Sequence, residues 1–322
     1  MRSGIKTAVA AALMALCTGA QAQQSYPSKP LRMLVGFVPG GTTDIVGRVL
    51  APKLHDLLGQ PVIVDNRPGA GANIAAEMAA RSTPDGYTLL IVNAGLAVSA
   101  AIYRSLKYDA IKDLAPVAEV AASPHVLTVN PSLPAKSVKE FIALAKSRPG
   151  QLNFSSGGTG NSDHLAGELF KFMAGIDIVH VPYQGGTPAI TAVANGQVAM
   201  YFPAVSTAWL MTKAGKVRAL AVTTARRSSF EPDLPTLSEA GLPGYEHVMW
   251  MSVFAPSSIP KDIVARLNAE FRKALAMPDV RERLAVMGVE PTGSSPEQLG
   301  AMLKGEIEKY SRIARAIGLS VD

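Results

Sequence analysis

The chain has 322 residues, 48% of them hydrophobic, a formal net charge of +6 and one cysteine, Cys17. A single cysteine excludes an internal disulfide framework and a cysteine-ligated metal site. The basic residues are scattered, with Arg226-Arg227 the densest cluster, and so lack the charged stripe with interleaved aromatics that nucleic-acid binding needs, while a mild positive bias suits a small anionic ligand.

In chain order, Arg2 and Lys6 come first, then an apolar run over 7–17, then the small-residue triplet Ala20-Gln21-Ala22. That order is a secretory signal peptide cleaved after Ala22, which predicts a periplasmic protein. The run is shorter than the roughly 20 residues a membrane-spanning helix needs, and bulky Leu16 argues against lipid attachment at Cys17. Without Arg2 and Lys6, 29 basic and 25 acidic residues leave a net charge of +4 and no cysteine.

The rest alternates short strands with helices. Residues 31–38 read as a strand ending at Pro39-Gly40-Gly41, followed by a helix over 44–58. Residues 61–66 and 87–93 read as strands around a helix over 73–81. A second series starts near Pro124, with a strand over 125–130 and a helix over about 137–147 opened by a Ser137/Glu140 capping box. Strands follow at 152–154, 178–181, 198–202 and 218–223, with a helix ending near Ala174. Residues 226–244, rich in Pro and Gly, read as an ordered loop. A strand over 248–256 and helices over 261–276 and 296–317 close the chain. The last helix carries Leu299, Met302, Leu303, Ile307, Tyr310 and Ile313 on one face, to pack on its own chain. This rhythm predicts an α/β protein of two lobes with parallel sheets flanked by helices. Residues 23–122 and 225–322 would form one discontinuous lobe and 123–224 the other, with the two crossings as a hinge.

Three glycine-rich turns sit between predicted strands and helices. They are Pro39-Gly40-Gly41-Thr42-Thr43-Asp44, Ser155-Ser156-Gly157-Gly158-Thr159-Gly160-Asn161 and Tyr183-Gln184-Gly185-Gly186-Thr187. Ligands of open α/β sheets lie at the carboxyl ends of the strands, and unpaired N–H groups at a helix start attract anions without an arginine. Three hydrogen bonds to a charge contribute about 4.5–9 kcal/mol, against an association cost of roughly 4–15 kcal/mol. Two lobes closing on one ligand meet that cost better than one. Asp44 either caps its helix or reads a ligand ammonium. Arg67-Pro-Gly-Ala-Gly71 lacks the third glycine of a dinucleotide loop, where Ile74 stands, and reads as a turn. Around Ser162, adjacent Asp163 and His164 cannot form a catalytic relay, and His164 falls on a helix with Glu168 one turn on. The five histidines show no metal-ligand spacing, no cofactor motif is present, and Trp209 and Trp250 read as core.

Several motifs resemble the Bug family, the receptors of tripartite tricarboxylate transporters. They are Phe37-Val-Pro-Gly-Gly-Thr-Thr-Asp44, Asn66-Arg-Pro-Gly-Ala-Gly71, Pro84-Asp-Gly-Tyr-Thr-Leu89, Gly160-Asn-Ser-Asp-His-Leu-Ala-Gly167, Val181-Pro-Tyr-Gln-Gly-Gly-Thr-Pro-Ala189, Arg218-Ala-Leu-Ala-Val222 and Asp233-Leu-Pro-Thr-Leu-Ser-Glu-Ala-Gly-Leu-Pro243. The resemblance spans essentially the whole mature chain. It implies a type II periplasmic binding fold that closes over a small carboxylate (a di- or tricarboxylate, an acidic amino acid or an aromatic acid) and delivers it to the membrane components of a transporter. By motif position it points to Pro39 through Asp44 and Ser155 through Ser162, with Asn93, Tyr183 and Ser206 beside them. A monomer without cofactor or metal is expected. A carboxylate sensor and an exported hydrolase are the competing readings.

Overall fold

The computed structural model describes residues 26–228 and 230–321, so the expected export signal and Cys17 lie outside the described residues. The first sheet begins with β1 (Leu31–Val35), β2 (Val62–Asn66) and β3 (Thr88–Asn93), all parallel, with β1 in the middle. Each is followed by a helix: α1 (Thr42–Leu58), α2 (Asn73–Ala80) and α3 (Gly95–Ile102). Leu31, Met33, Leu34 and Val35 of β1 are fully buried, which is why this strand reads as an apolar run and not as an alternating one. Gly59 stops α1 in the left-handed conformation, with φ 71°.

Antiparallel strands β4 (Leu114–Pro124), β10 (Val248–Pro256) and β11 (Glu290–Pro291) complete the sheet in the order β11-β4-β10-β3-β1-β2. The sequence pattern predicts β10 but not β4, whose small residues are interrupted by Pro116. The proline is tolerated because the ladder shifts register between Val253 and Phe254, next to it.

The second sheet is built from β5 (Val126–Val129), β6 (Asn153–Ser156), β7 (Val179–Pro182), β8 (Met200–Tyr201) and β9 (Arg218–Val222). Its helices are α4 (Val138–Ser147), α5 (Ser162–Ala174), α6 (Gly186–Ala194) and α7 (Val205–Lys213). The strand order is β7-β6-β8-β5-β9, the same permutation as β2-β1-β3-β10-β4. In each sheet the fourth position is taken by a strand that has just crossed from the other lobe. A strand delivered that way runs against its neighbours, so both sheets are mixed, where the sequence rhythm predicts parallel ones.

Helices α8 (Lys261–Ala276), α9 (Pro278–Val286) and α10 (Pro296–Ile317) end the chain. The sequence reading lacks α9. Ser295 and Gln298 form a full capping box at the start of α10, whereas at α4 only Ser137 caps and Glu140 accepts from the Lys136 N–H. Leu299, Leu303 and Tyr310 of α10 are buried in the first lobe's core together with Leu96 and Val98 of α3.

The two crossings are tied together. Thr223 N–H donates to the His125 carbonyl, His125 N–H donates to the Thr223 hydroxyl at 2.9 Å, and His247 N–H donates to the Thr223 carbonyl at 2.8 Å. His125 separates β4 from β5, and His247 immediately precedes β10.

Candidate functional site

The carboxyl ends of both sheets face one cavity of about 990 Å³. From the first lobe, Pro39, Gly40, Gly41, Thr42 and Thr43 line it, on the turn between β1 and α1. Asn93, at the end of β3, joins them. From the second lobe come Gly157, Thr159 and Asn161 after β6, Tyr183 after β7, and Ser206 in the first turn of α7. Asn93 Nδ2 donates to Asn161 Oδ1 at 3.3 Å, a hydrogen bond that joins the lobes across the cavity.

The remaining expected residues stand behind these walls. Asp44 is buried, and its carboxylate accepts the Gly40 N–H at 2.9 Å, the Asn66 amide at 2.8 Å and the Arg48 guanidinium at 3.0 Å. Burial pushes its pKa up, but these bonds outweigh burial and hold it below the ordinary value. It sits three residues after the N-cap Gly41 and braces the turn from behind, so it neither caps through the usual position nor faces the cavity. Ser155 Oγ donates to the Ala189 carbonyl, Ser156 Oγ meets His180 Nε2 at 2.6 Å, and the Gly160 N–H donates to His164 Nδ1. Asp163 repeats the role of Asp44 in the second lobe. It accepts the Gly157 N–H and the Tyr201 hydroxyl, both at 2.7 Å, and burial raises its pKa despite them.

Ser162 lies between two imidazoles, 3.2 Å from His125 Nε2 and 2.9 Å from His247 Nε2, with Tyr310 Oη 3.1 Å from His247 Nδ1. The arrangement resembles a serine–histidine relay, but Ser162 is 1% exposed and His247 fully buried, so no substrate reaches the hydroxyl. Burial lowers His125 to about 4 and keeps it neutral. His247 is lowered by burial and by the neighbouring His125 and Lys309. Sequence separation hides this cluster, because its members lie on both crossings and on α5 and α10. Among the described residues, no group of three or more His, Cys, Asp or Glu is arranged to hold a metal ion.

The donors are also redistributed. Gly40, Gly157, Gly158 and Gly160 spend their N–H groups inside their own turns. The N–H groups of Thr42 and Thr43 at the start of α1, and of Gln184, Gly186 and Thr187 around the start of α6, make no hydrogen bond within the described residues. The cavity therefore lies between two helix N-termini of opposite lobes, and all five of these residues line it. Sequence reasoning also missed the wall formed by Gly69, Ala70, Gly71 and Ala72. Ala70 and Ala72 adopt φ 48° and 79° there, a left-handed stretch that no residue type in the segment except glycine announces.

A family model described as tripartite tricarboxylate transporter family receptor matches residues 46–319. Protein BugT of Bordetella pertussis is 38% identical over 296 residues, 91% of this chain and 91% of the relative. A solved R. palustris protein with adipate superposes with a TM-score of 0.86 at 36% identity, covering 92% of this chain and 99% of that one. MatC from Rhodopseudomonas palustris with bound malate gives 0.83 at 33% identity, covering 89% and 99%. With two lobes of mixed sheet, helix starts facing a shared cleft and matches over almost its whole length, the chain belongs to the tripartite tricarboxylate transporter receptor family.

Proposed function

We propose that this solute-binding protein works in the periplasm, capturing a small carboxylate between its lobes and passing it to the membrane components of a tripartite tricarboxylate-type transporter. One observation carries the reading: unpaired N–H groups open α1 and α6 on opposite sides of one cleft. Each helix start contributes roughly half a positive charge, so a carboxylate oxygen pair placed between them is matched from both lobes without any lysine or arginine. Relatives solved with adipate and malate support the same ligand class. On this reading Thr42, Thr43, Asn161, Tyr183 and Ser206 meet the ligand or its waters, while Asp44, Ser155, Ser156 and Ser162 shape the turns. The lobes divide near 23–122 with 225–322 and 123–224, residues 1–22 direct export, and the receptor acts as a monomer. Among the described residues no helix is long and apolar enough to cross a membrane.

A thermal-shift screen of organic acids, sugars and cations tests this. At least one carboxylate should raise the melting temperature, with 1:1 stoichiometry by titration calorimetry. Stabilisation by sugars or cations, and by no acid, would remove the reading.

A further inference from the structure

The cleft presents unpaired N–H donors from both lobes and no free carboxylate, and this asymmetry of charge selects within the acids. We propose that the ligand carries no ammonium group, so the protein takes a deaminated acid and rejects the corresponding α-amino acid. The inference rests on the carboxylate reading above and narrows it.

An ammonium needs acceptors, best a carboxylate. Asp163 is the only Asp or Glu among the lining residues. It is 3% exposed, and its oxygens already accept the Gly157 N–H, the Tyr201 hydroxyl and the His164 N–H. Asp44, behind the opposite turn, is held by Gly40, Asn66 and Arg48. No free carboxylate remains on either side.

Several of the neutral acceptors are engaged as well. The Phe37 carbonyl accepts from Asn66 Nδ2, and the Val38 carbonyl from the Gly41 N–H. The carbonyls of Gly157, Gly158 and Pro203 accept from the N–H groups of Gly185, Asn161 and Val126. Asn93 Oδ1 is taken by the Gly95 N–H, and Asn161 Oδ1 by the Ser162 N–H and Asn93. What remains is uncharged: backbone carbonyls such as those of Pro39, Thr159 and Tyr183, the Gln184 amide, the His125 ring and the Thr, Ser and Tyr hydroxyls. An ammonium would also face the positive ends of α1 and α6. Phe37, Tyr103 and Tyr183 also line the cavity, but an aromatic face returns only part of what a cation loses on leaving water. A carboxylate with an uncharged body meets none of these penalties.

Titration calorimetry on the purified protein with matched pairs tests the proposal: glutarate against glutamate, adipate against 2-aminoadipate, 3-phenylpropanoate against phenylalanine. Each acid that binds should do so at least about tenfold more tightly than its amino counterpart, as expected when one buried charge is left unpaired. The near-isosteric variant Gln184→Glu restores a carboxylate at the cleft and should shrink that ratio by about fivefold or more. An amino acid that matches or exceeds its deaminated partner overturns the inference and leaves carboxylate capture standing. A ratio unmoved in Gln184→Glu also overturns it. If none of these acids binds, the pairs are rebuilt on the acids that stabilise the protein in the thermal-shift screen, and if that screen yields no acid the carboxylate reading itself fails.

Discussion

Two glycines that look equivalent in the sequence differ in what they tolerate. Gly41 has φ −73°, and a Cβ there would meet nothing nearer than the Val38 carbonyl at 3.5 Å. At Gly157 a Cβ would lie 3.1 Å from Asn161 Nδ2 and from Asp163 Oδ2, and 3.2 Å from the Gly185 backbone. Any side chain at Gly157 therefore disturbs the turn before it tests the ligand. Gly41→Asp is the cleaner probe, because it sets a carboxylate beside the unpaired N–H groups of Thr42 and Thr43. Each lost charged hydrogen bond is worth about 1.5–3 kcal/mol, so affinity for the acid should fall roughly 10- to 100-fold while the melting temperature stays within a few degrees. Unchanged affinity by calorimetry would place the ligand away from α1. Asp44 shows the same distinction between neighbouring positions. The sequence left it open between cap and ammonium ligand, and its carboxylate is held by Arg48 one turn on in the same helix and by Asn66 at the end of β2.

At the scale of elements, strands and helices with a strong period were legible. Helices over 261–276 and 296–317 and the strand over 248–256 coincide with α8, α10 and β10, because each carries an apolar face or run between clear stops. The miss at β4 has a physical cause. Over β4 the small residues and Pro116 give no alternation, since the strand is clamped between β10 and β11 and needs no large side chains to be buried. The site was half legible. Turn composition marked the walls, but which N–H groups stay unpaired depends on where each Asp, Ser and His side chain folds back. Ser162 is the clearest case, since its partners His125 and His247 are 37 and 85 residues away. Removing its hydroxyl in Ser162→Ala strands two buried imidazoles and should cost about 1–3 kcal/mol in denaturant unfolding. A loss below about 0.5 kcal/mol, the scatter expected of a neutral surface change, would mean that the hydroxyl ties nothing together at the crossings.

The whole molecule holds four histidines in surroundings that keep them neutral. Burial lowers His125 to about 4, burial with His180 and Lys171 lowers His164 to about 3, burial with Lys171 lowers His180 to about 4, and burial with His125 and Lys309 holds His247 well below its ordinary value. An unfolded chain titrates these groups near pH 6.5. The folded form therefore keeps its full stability above that value and loses it as the pH falls towards 4, because only the unfolded chain gains protons. For fully buried His125 and His164 the loss at pH 5 is roughly 2 kcal/mol each. Asp163, Glu168 and Glu119, raised by burial, oppose the trend, because in the folded state they bind protons at higher pH than in the unfolded chain. Asp44, Asp65 and Asp109, held below their ordinary values, join it only near pH 4 and lower. The four histidines dominate between pH 7 and pH 5. At about 2–4 °C per kcal/mol, the melting temperature should drop roughly 10 °C across that window. His164→Asn, which removes one titrating ring, should flatten the slope even if it lowers the whole curve. A melting temperature that stays level from pH 7 to pH 5 would show that these rings take up protons without unfolding.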